Sequence, residues 1–87
     1  MLLLVQWEFT AENREKVYAR FREAANQPIP GIRGIGRWHT VGHGAGVAVV
    51  EAENEEAAAN LAMLWSDVTT MRIQPCLDDE TYARVIK

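Results

Sequence analysis

The chain has 87 residues, 48% of them hydrophobic and 24% charged, with a formal net charge of −3. That length predicts one domain spanning 1–87, and the mild acidity excludes a general nucleic-acid binder, which needs a basic face. The apolar stretches are too short to span a membrane, and Met1–Val5 lacks the basic flank of a secretory signal. A single cysteine, Cys76, excludes an internal disulfide framework and fits a reducing, cytoplasmic compartment. A domain this short buries only somewhat over about 60% of its unfolded surface, so packing against a second copy is a natural remedy.

The first element is a strand, Leu2–Phe9. Leu3, Val5, Trp7 and Phe9 share one face, and Leu2, Leu4, Gln6 and Glu8 share the other. A helix is expected over about 11–26, capped by Thr10, with Glu12 and Glu15 at its positive end. Its apolar stripe is Val17, Phe21, Ala24 and Ala25, and Pro28 and Pro30 prevent its continuation. Gly31–Thr40 reads as a glycine-rich second strand, with Ile32, Gly34, Gly36 and Trp38 on one face and Arg33, Ile35, Arg37 and His39 on the other. Glycines here suit close approach of another backbone, such as a helix. A hairpin over Val41–Ala45 leads into an almost wholly apolar third strand, Gly46–Ala52, which is expected to be central.

Asn54 caps a second helix over about 54–67, with Ala57, Leu61, Leu64, Trp65 and Val68 at helical spacing. Thr70–Leu77 is a fourth strand, placed at the sheet edge because Pro75 has no N–H. Asp78 or Asp79 then caps a short final helix carrying Tyr82, Val85 and Ile86. The order βαββαβ is the ferredoxin-like pattern. Right-handed crossovers give an α+β fold with a four-stranded antiparallel sheet in the order 4-1-3-2, two helices on one face and the other face open.

Three segments resemble an uncharacterised family of small bacterial domains: W-E-F-T-A-E-N-R (Trp7–Arg14), G-R-W-H (Gly36–His39) and P-C-L-D-D-E (Pro75–Glu80). The fold is similar to the dimeric α/β-barrel superfamily, whose members include cofactor-free monooxygenases, haem-handling enzymes and dimers without assigned chemistry. The resemblance implies a homodimer joined sheet to sheet, and a sheet with helices on one side leaves Leu2, Leu4, Ile35, Ala48 and Val50 as an apolar patch for the partner to cover. It carries no catalytic signature that can be laid on this chain.

On the alternation alone, the open face carries Gln6, Glu8, Arg33, Arg37, His39, Arg72, Gln74 and Cys76. His39 is the candidate general acid–base, because imidazole titrates near neutral pH. Arg37, Gln6, Glu8 and Arg72 are the candidate ligand-binding residues, and the arginine surplus favours a small anionic or carbonyl-bearing guest. The competing reading pairs these charges structurally, Glu8 with Arg72 for instance. His39 and His43 have H-x3-H spacing across a hairpin rather than along a helix, so no metal site is expected. Neither glycine run opens a helix, so neither makes a phosphate loop. His43 reads as a solvated turn residue, Trp65 as core, and Cys76 as lacking a neighbour that would activate it. Two functions follow. One is a small-ligand-binding homodimer with a site between the open sheet faces, a cofactor-independent enzyme of monooxygenase or isomerase type. The other is a non-catalytic structural dimer.

Overall fold

The computed structural model describes residues 1–24 and 26–87. The elements are β1 (Leu2–Glu8), a 3-10 turn (Ala11–Asn13), α1 (Arg14–Ala24), β2 (Ile32–His39), β3 (Ala45–Ala52), α2 (Glu55–Trp65), β4 (Thr70–Pro75) and α3 (Asp79–Ile86). The strands form one antiparallel sheet in the order β2-β3-β1-β4, the expected 4-1-3-2 order read from the other edge. This is the ferredoxin-like α+β fold. β4 is an edge, with Pro75 at its last paired position opposite Leu3.

Local chemistry explains the helix ends. Asn54 accepts a hydrogen bond from the Ala57 amide at 2.9 Å, and Asp78 accepts one from the Thr81 amide at 2.8 Å. Thr10 does not cap through its side chain. Its carbonyl accepts from the Asn13 amide at 3.0 Å, so the chain enters α1 through a tight 3-10 turn. α1 ends at Ala24, and Ala25, placed by the sequence pattern on the same stripe, lies outside the described residues.

The core lies on one face of the sheet. Leu3 and Val5 of β1 pair directly with Val50 and Ala48 of β3, so all four side chains point the same way. They cluster with Ala52 and with Leu61 of α2. Ala48 and Val50, expected on the open face, are therefore core residues. β3 is apolar at both parities, and only its register with β1 separates its faces. Val47 and Val49, opposite Gln6 and Leu4, are the β3 residues that face away from the core.

At Gly31 and Gly46 a neighbouring side chain leaves no room for a Cβ. Gly31 has φ 78°, and a Cβ there would lie 2.8 Å from the Ala57 Cβ, which fixes how closely α2 approaches the start of β2. Gly46 faces Trp7 across the β1–β3 pair, and the indole lies flat over it where any side chain would stand. Gly46→Val is expected to expel Trp7 and cost about 1–3 kcal/mol of stability. Gly42→Ala, with nothing within 4 Å of the new methyl, is expected to cost less than about 0.5 kcal/mol. Urea unfolding midpoints compare the two directly.

Candidate functional site

Parity along β2 breaks at Ile35. Gly34 pairs with Val50, yet Gly36 pairs with Val49, so Ile35 is an extra residue with no partner. Beyond this β-bulge every side chain changes face. Arg37 pairs with Ala48 and His39 with Gly46, which puts both on the core side beneath α1. Trp38 pairs with Val47 and turns to the open face, where its indole covers Gly36. The simple alternation gives the opposite placement for all three. Arg33, ahead of the bulge, pairs with Glu51 and keeps its expected face.

The side-chain contacts agree with the register. The His39 ring meets Trp7 edge-on at 5.8 Å between centroids and Phe21 of α1 at 5.3 Å and 89°. The Arg37 guanidinium lies 4.9 Å from the Phe21 ring centroid, a cation–π distance. Phe21 is thus clasped by both predicted residues. The His39 ring nitrogens form no hydrogen bond among the described residues.

These residues border a cleft of about 1170 Å³ between α1 and the sheet. Val5, Ala48, Val50 and Met71 supply apolar floor, Trp7 and Phe9 one end, Val17, Tyr18 and Phe21 the α1 side, and Leu61 and Trp65 the α2 side. The cleft exists because α1 stands off. Its backbone makes no close contact with any strand or with α2 among the described residues, and Val17 is its one buried side chain. Long side chains span the gap instead. Arg20 donates to the Leu64 carbonyl at 2.8 Å and to both carboxylate oxygens of Asp67, at 2.5 and 2.9 Å. Tyr18 Oη lies 2.9 Å from His43 Nδ1.

Gln6, Glu8 and Arg72 stay on the open face as expected, around a shallower hollow of about 550 Å³ with Trp38 and Val47. Gln6, not Glu8, is directly opposite Arg72, and Glu8 faces Thr70. No Glu8–Arg72 ion pair forms among the described residues. The predicted set therefore divides, with Arg37 and His39 in the helix-side cleft and Gln6, Glu8 and Arg72 across the sheet. His39 borders both spaces. Tyr18, Phe21 and His43 were not singled out by the sequence as site residues, although the i, i+3 spacing of Tyr18 and Phe21 places them on one side of α1. No group of three His, Cys, Asp or Glu side chains converges among the described residues.

A family model described as Domain of unknown function (DUF3303) matches residues 1–87. The chain belongs to this family. No curated protein matches it. Among solved structures it is similar to a Deinococcus radiodurans protein whose own assignment as an antibiotic biosynthesis monooxygenase is provisional. The TM-score is 0.54 at 8% identity, over 90% of this chain and 94% of that one. At that identity the likeness establishes the ferredoxin-like fold that DUF3303 adopts here. No helix is long and apolar enough to cross a membrane among the described residues.

The Arg20 tether has a pH signature. Its hydrogen bond holds the Asp67 carboxyl below the usual carboxylate range, reinforced by charge attraction. A depressed folded-state value contributes stability that is complete above the ordinary carboxylate pKa and lost as pH falls through the folded one. Hydrogen-exchange protection of α1 is expected to fall under acid in that sense. Asp67→Asn is expected to show weaker protection already at neutral pH, with this acid-dependent component gone.

Proposed function

We propose that this protein binds a small, ring-bearing, anionic or carbonyl-bearing molecule in the cleft between α1 and the sheet, and acts on it without a cofactor. The observation that carries this reading is the convergence of Arg37 and His39 on Phe21 beside a cleft with an apolar floor of Val5, Ala48, Val50 and Met71. Such a lining holds a flat apolar body by contact and orients it through a few polar groups. Arg37 meets the guest's negative oxygen with a planar fork of donors. His39, its nitrogens available, takes a proton from carbon next to a carbonyl. The C–H electron pair becomes a carbon–carbon double bond, the carbonyl π pair moves onto its oxygen, and the enolate is stabilised beside Arg37. Returning the proton to another carbon is isomerisation, and giving the enolate's electrons to dioxygen begins oxygenation. The monooxygenase assignment of the structural neighbour fits the second route.

Benzoate tests binding and phenylpyruvate tests chemistry. Benzoate is expected to shift the resonances of Phe21, Trp7 and His39 in an NMR titration, and Arg37→Ala is expected to weaken it by about tenfold or more, as for a charge-assisted contact. Solvent deuterium is expected to enter the benzylic carbon of phenylpyruvate faster with wild-type protein than with His39→Gln. Benzoate binding untouched by Arg37→Ala, or exchange equal in both proteins, contradicts the reading. The absence of both effects favours the structural-dimer alternative.

The same reading includes a homodimer joined through the open sheet face. Leu2, Leu4, Val47 and Val49 form an apolar strip there, bordered by Trp38 (58% exposed). A continuous patch of this kind is rarely left in water, and a two-fold contact covers it at least cost in new surface. Gln6, Glu8 and Arg72 then lie at the interface, and each cleft stays complete within its protomer. Light scattering at micromolar concentration is expected to give twice the chain mass, and Trp38→Asp is expected to reduce it to one.

A further inference from the structure

A second polar pair borders the same cleft one helical turn away from Phe21. Tyr18 is half-buried, its ring edge-on to Phe9 at 6.3 Å and 87°, and its Oη is 2.9 Å from His43 Nδ1. Both residues line the cleft. His43 has φ 64°, in the left-handed region, although glycines stand on either side of it. Histidine tolerates that region better than most side chains, but glycine enters it freely. The turn is tied at that position. The His43 amide donates to the Thr40 carbonyl at 3.0 Å, and Thr40 Oγ1 donates to the His43 carbonyl at 3.2 Å. The imidazole is therefore placed by the β2–β3 hairpin and directed at α1.

The chemistry of the pair fixes what it can recognise. With the His43 proton on Nε2, Nδ1 is the acceptor and the Tyr18 hydroxyl donates to it. Its proton is then committed, while its oxygen keeps lone pairs. A guest atom that bonds to Tyr18 Oη must bring its own proton. The resulting chain, guest O–H to Tyr18 to His43, is one in which each bond polarises the next. Tyr18 and Phe21 are three residues apart, a rise of roughly 4.5 Å along the helix. Phe21 touches Arg37 and His39, and all five side chains line the same cleft, so one guest there meets both polar groups.

We propose that Tyr18, positioned by His43, accepts a hydrogen bond from a free hydroxyl on the guest, opposite the group held by Arg37. This narrows the ligand class to hydroxylated ring anions, and it rests on the reading of the cleft as the ligand site. The probes are benzoate, 4-hydroxybenzoate and 4-methoxybenzoate, titrated by NMR. Wild-type protein is expected to bind the hydroxy compound about three- to tenfold more tightly than the other two, the worth of one neutral hydrogen bond. Tyr18→Phe keeps the ring against Phe9, and is expected to erase the preference, bringing 4-hydroxybenzoate level with benzoate. His43→Gly suits the left-handed turn and releases the Tyr18 proton, so 4-methoxybenzoate is expected to gain on 4-hydroxybenzoate. A pair that merely holds α1 in place would weaken all three probes alike in both variants, which overturns the proposal. So does a hydroxyl preference that survives Tyr18→Phe, or equal affinities in wild type. Failure of benzoate to bind wild type overturns the cleft as a site and this assignment with it. Benzoate binding without hydroxyl preference overturns this assignment alone.

Discussion

Side chains of a strand alternate between faces with a period of two, so an unpaired residue exchanges the faces of everything after it. In β2 that residue is Ile35, and the exchange decides what each side of the sheet can do. Without the bulge, Trp38 would be driven into the space occupied by Trp7 over Gly46, and Arg37 and His39 would lie on the open face. With it, the indole of Trp38 moves to the outer side, and a cation and an imidazole arrive under α1. Glycines on both sides of Ile35 lower the cost of the irregularity, since neither has a Cβ to clash or a side chain to place.

The two long helices are then held by different physics. α2 is anchored by burial: Leu61 and Ala57 lie in the core, and Gly31 lets the helix approach closely. α1 has one buried residue and reaches the rest of the protein through an ion pair, a phenol–imidazole bond and aromatic edges around Phe21. Exposed ion pairs are weak and screened by salt, and a single edge-on ring contact contributes only about 1 kcal/mol. A helix tethered this way leaves a space beneath it that a ring-shaped guest can fill, and filling it adds the apolar contact that α1 lacks. In the proposed reading, binding and the docking of α1 are therefore coupled.

The element order, strand order, edge position of β4 and caps at Asn54 and Asp78 were all legible in the sequence, because each rests on local chemistry or on topology rules. The alternation in β1 correctly separated Leu3 and Val5 from Gln6. What was not legible was face assignment in β2 and β3. β3 is apolar at both parities, so nothing in it distinguishes Ala48 and Val50 from Val47 and Val49. In β2 the segment Gly34-Ile35-Gly36 has no side chain at either flank to show a change of phase, and the polar residues beyond it fit either face. Two glycines around one exposed aliphatic residue were the available signal for a bulge. The role of His43 was hidden for a different reason: its partner, Tyr18, is 25 residues away and meets it only once α1 crosses the sheet.

The chemistry of the cleft depends on His39 and Arg37 facing α1. Nuclear Overhauser effects from the His39 imidazole protons test that placement without any ligand. Cross-peaks to the Phe21 ring and the Trp7 indole are the predicted result. Cross-peaks to the side chains of Gln6 and Val47, with none to Phe21, would place His39 on the open face and contradict it.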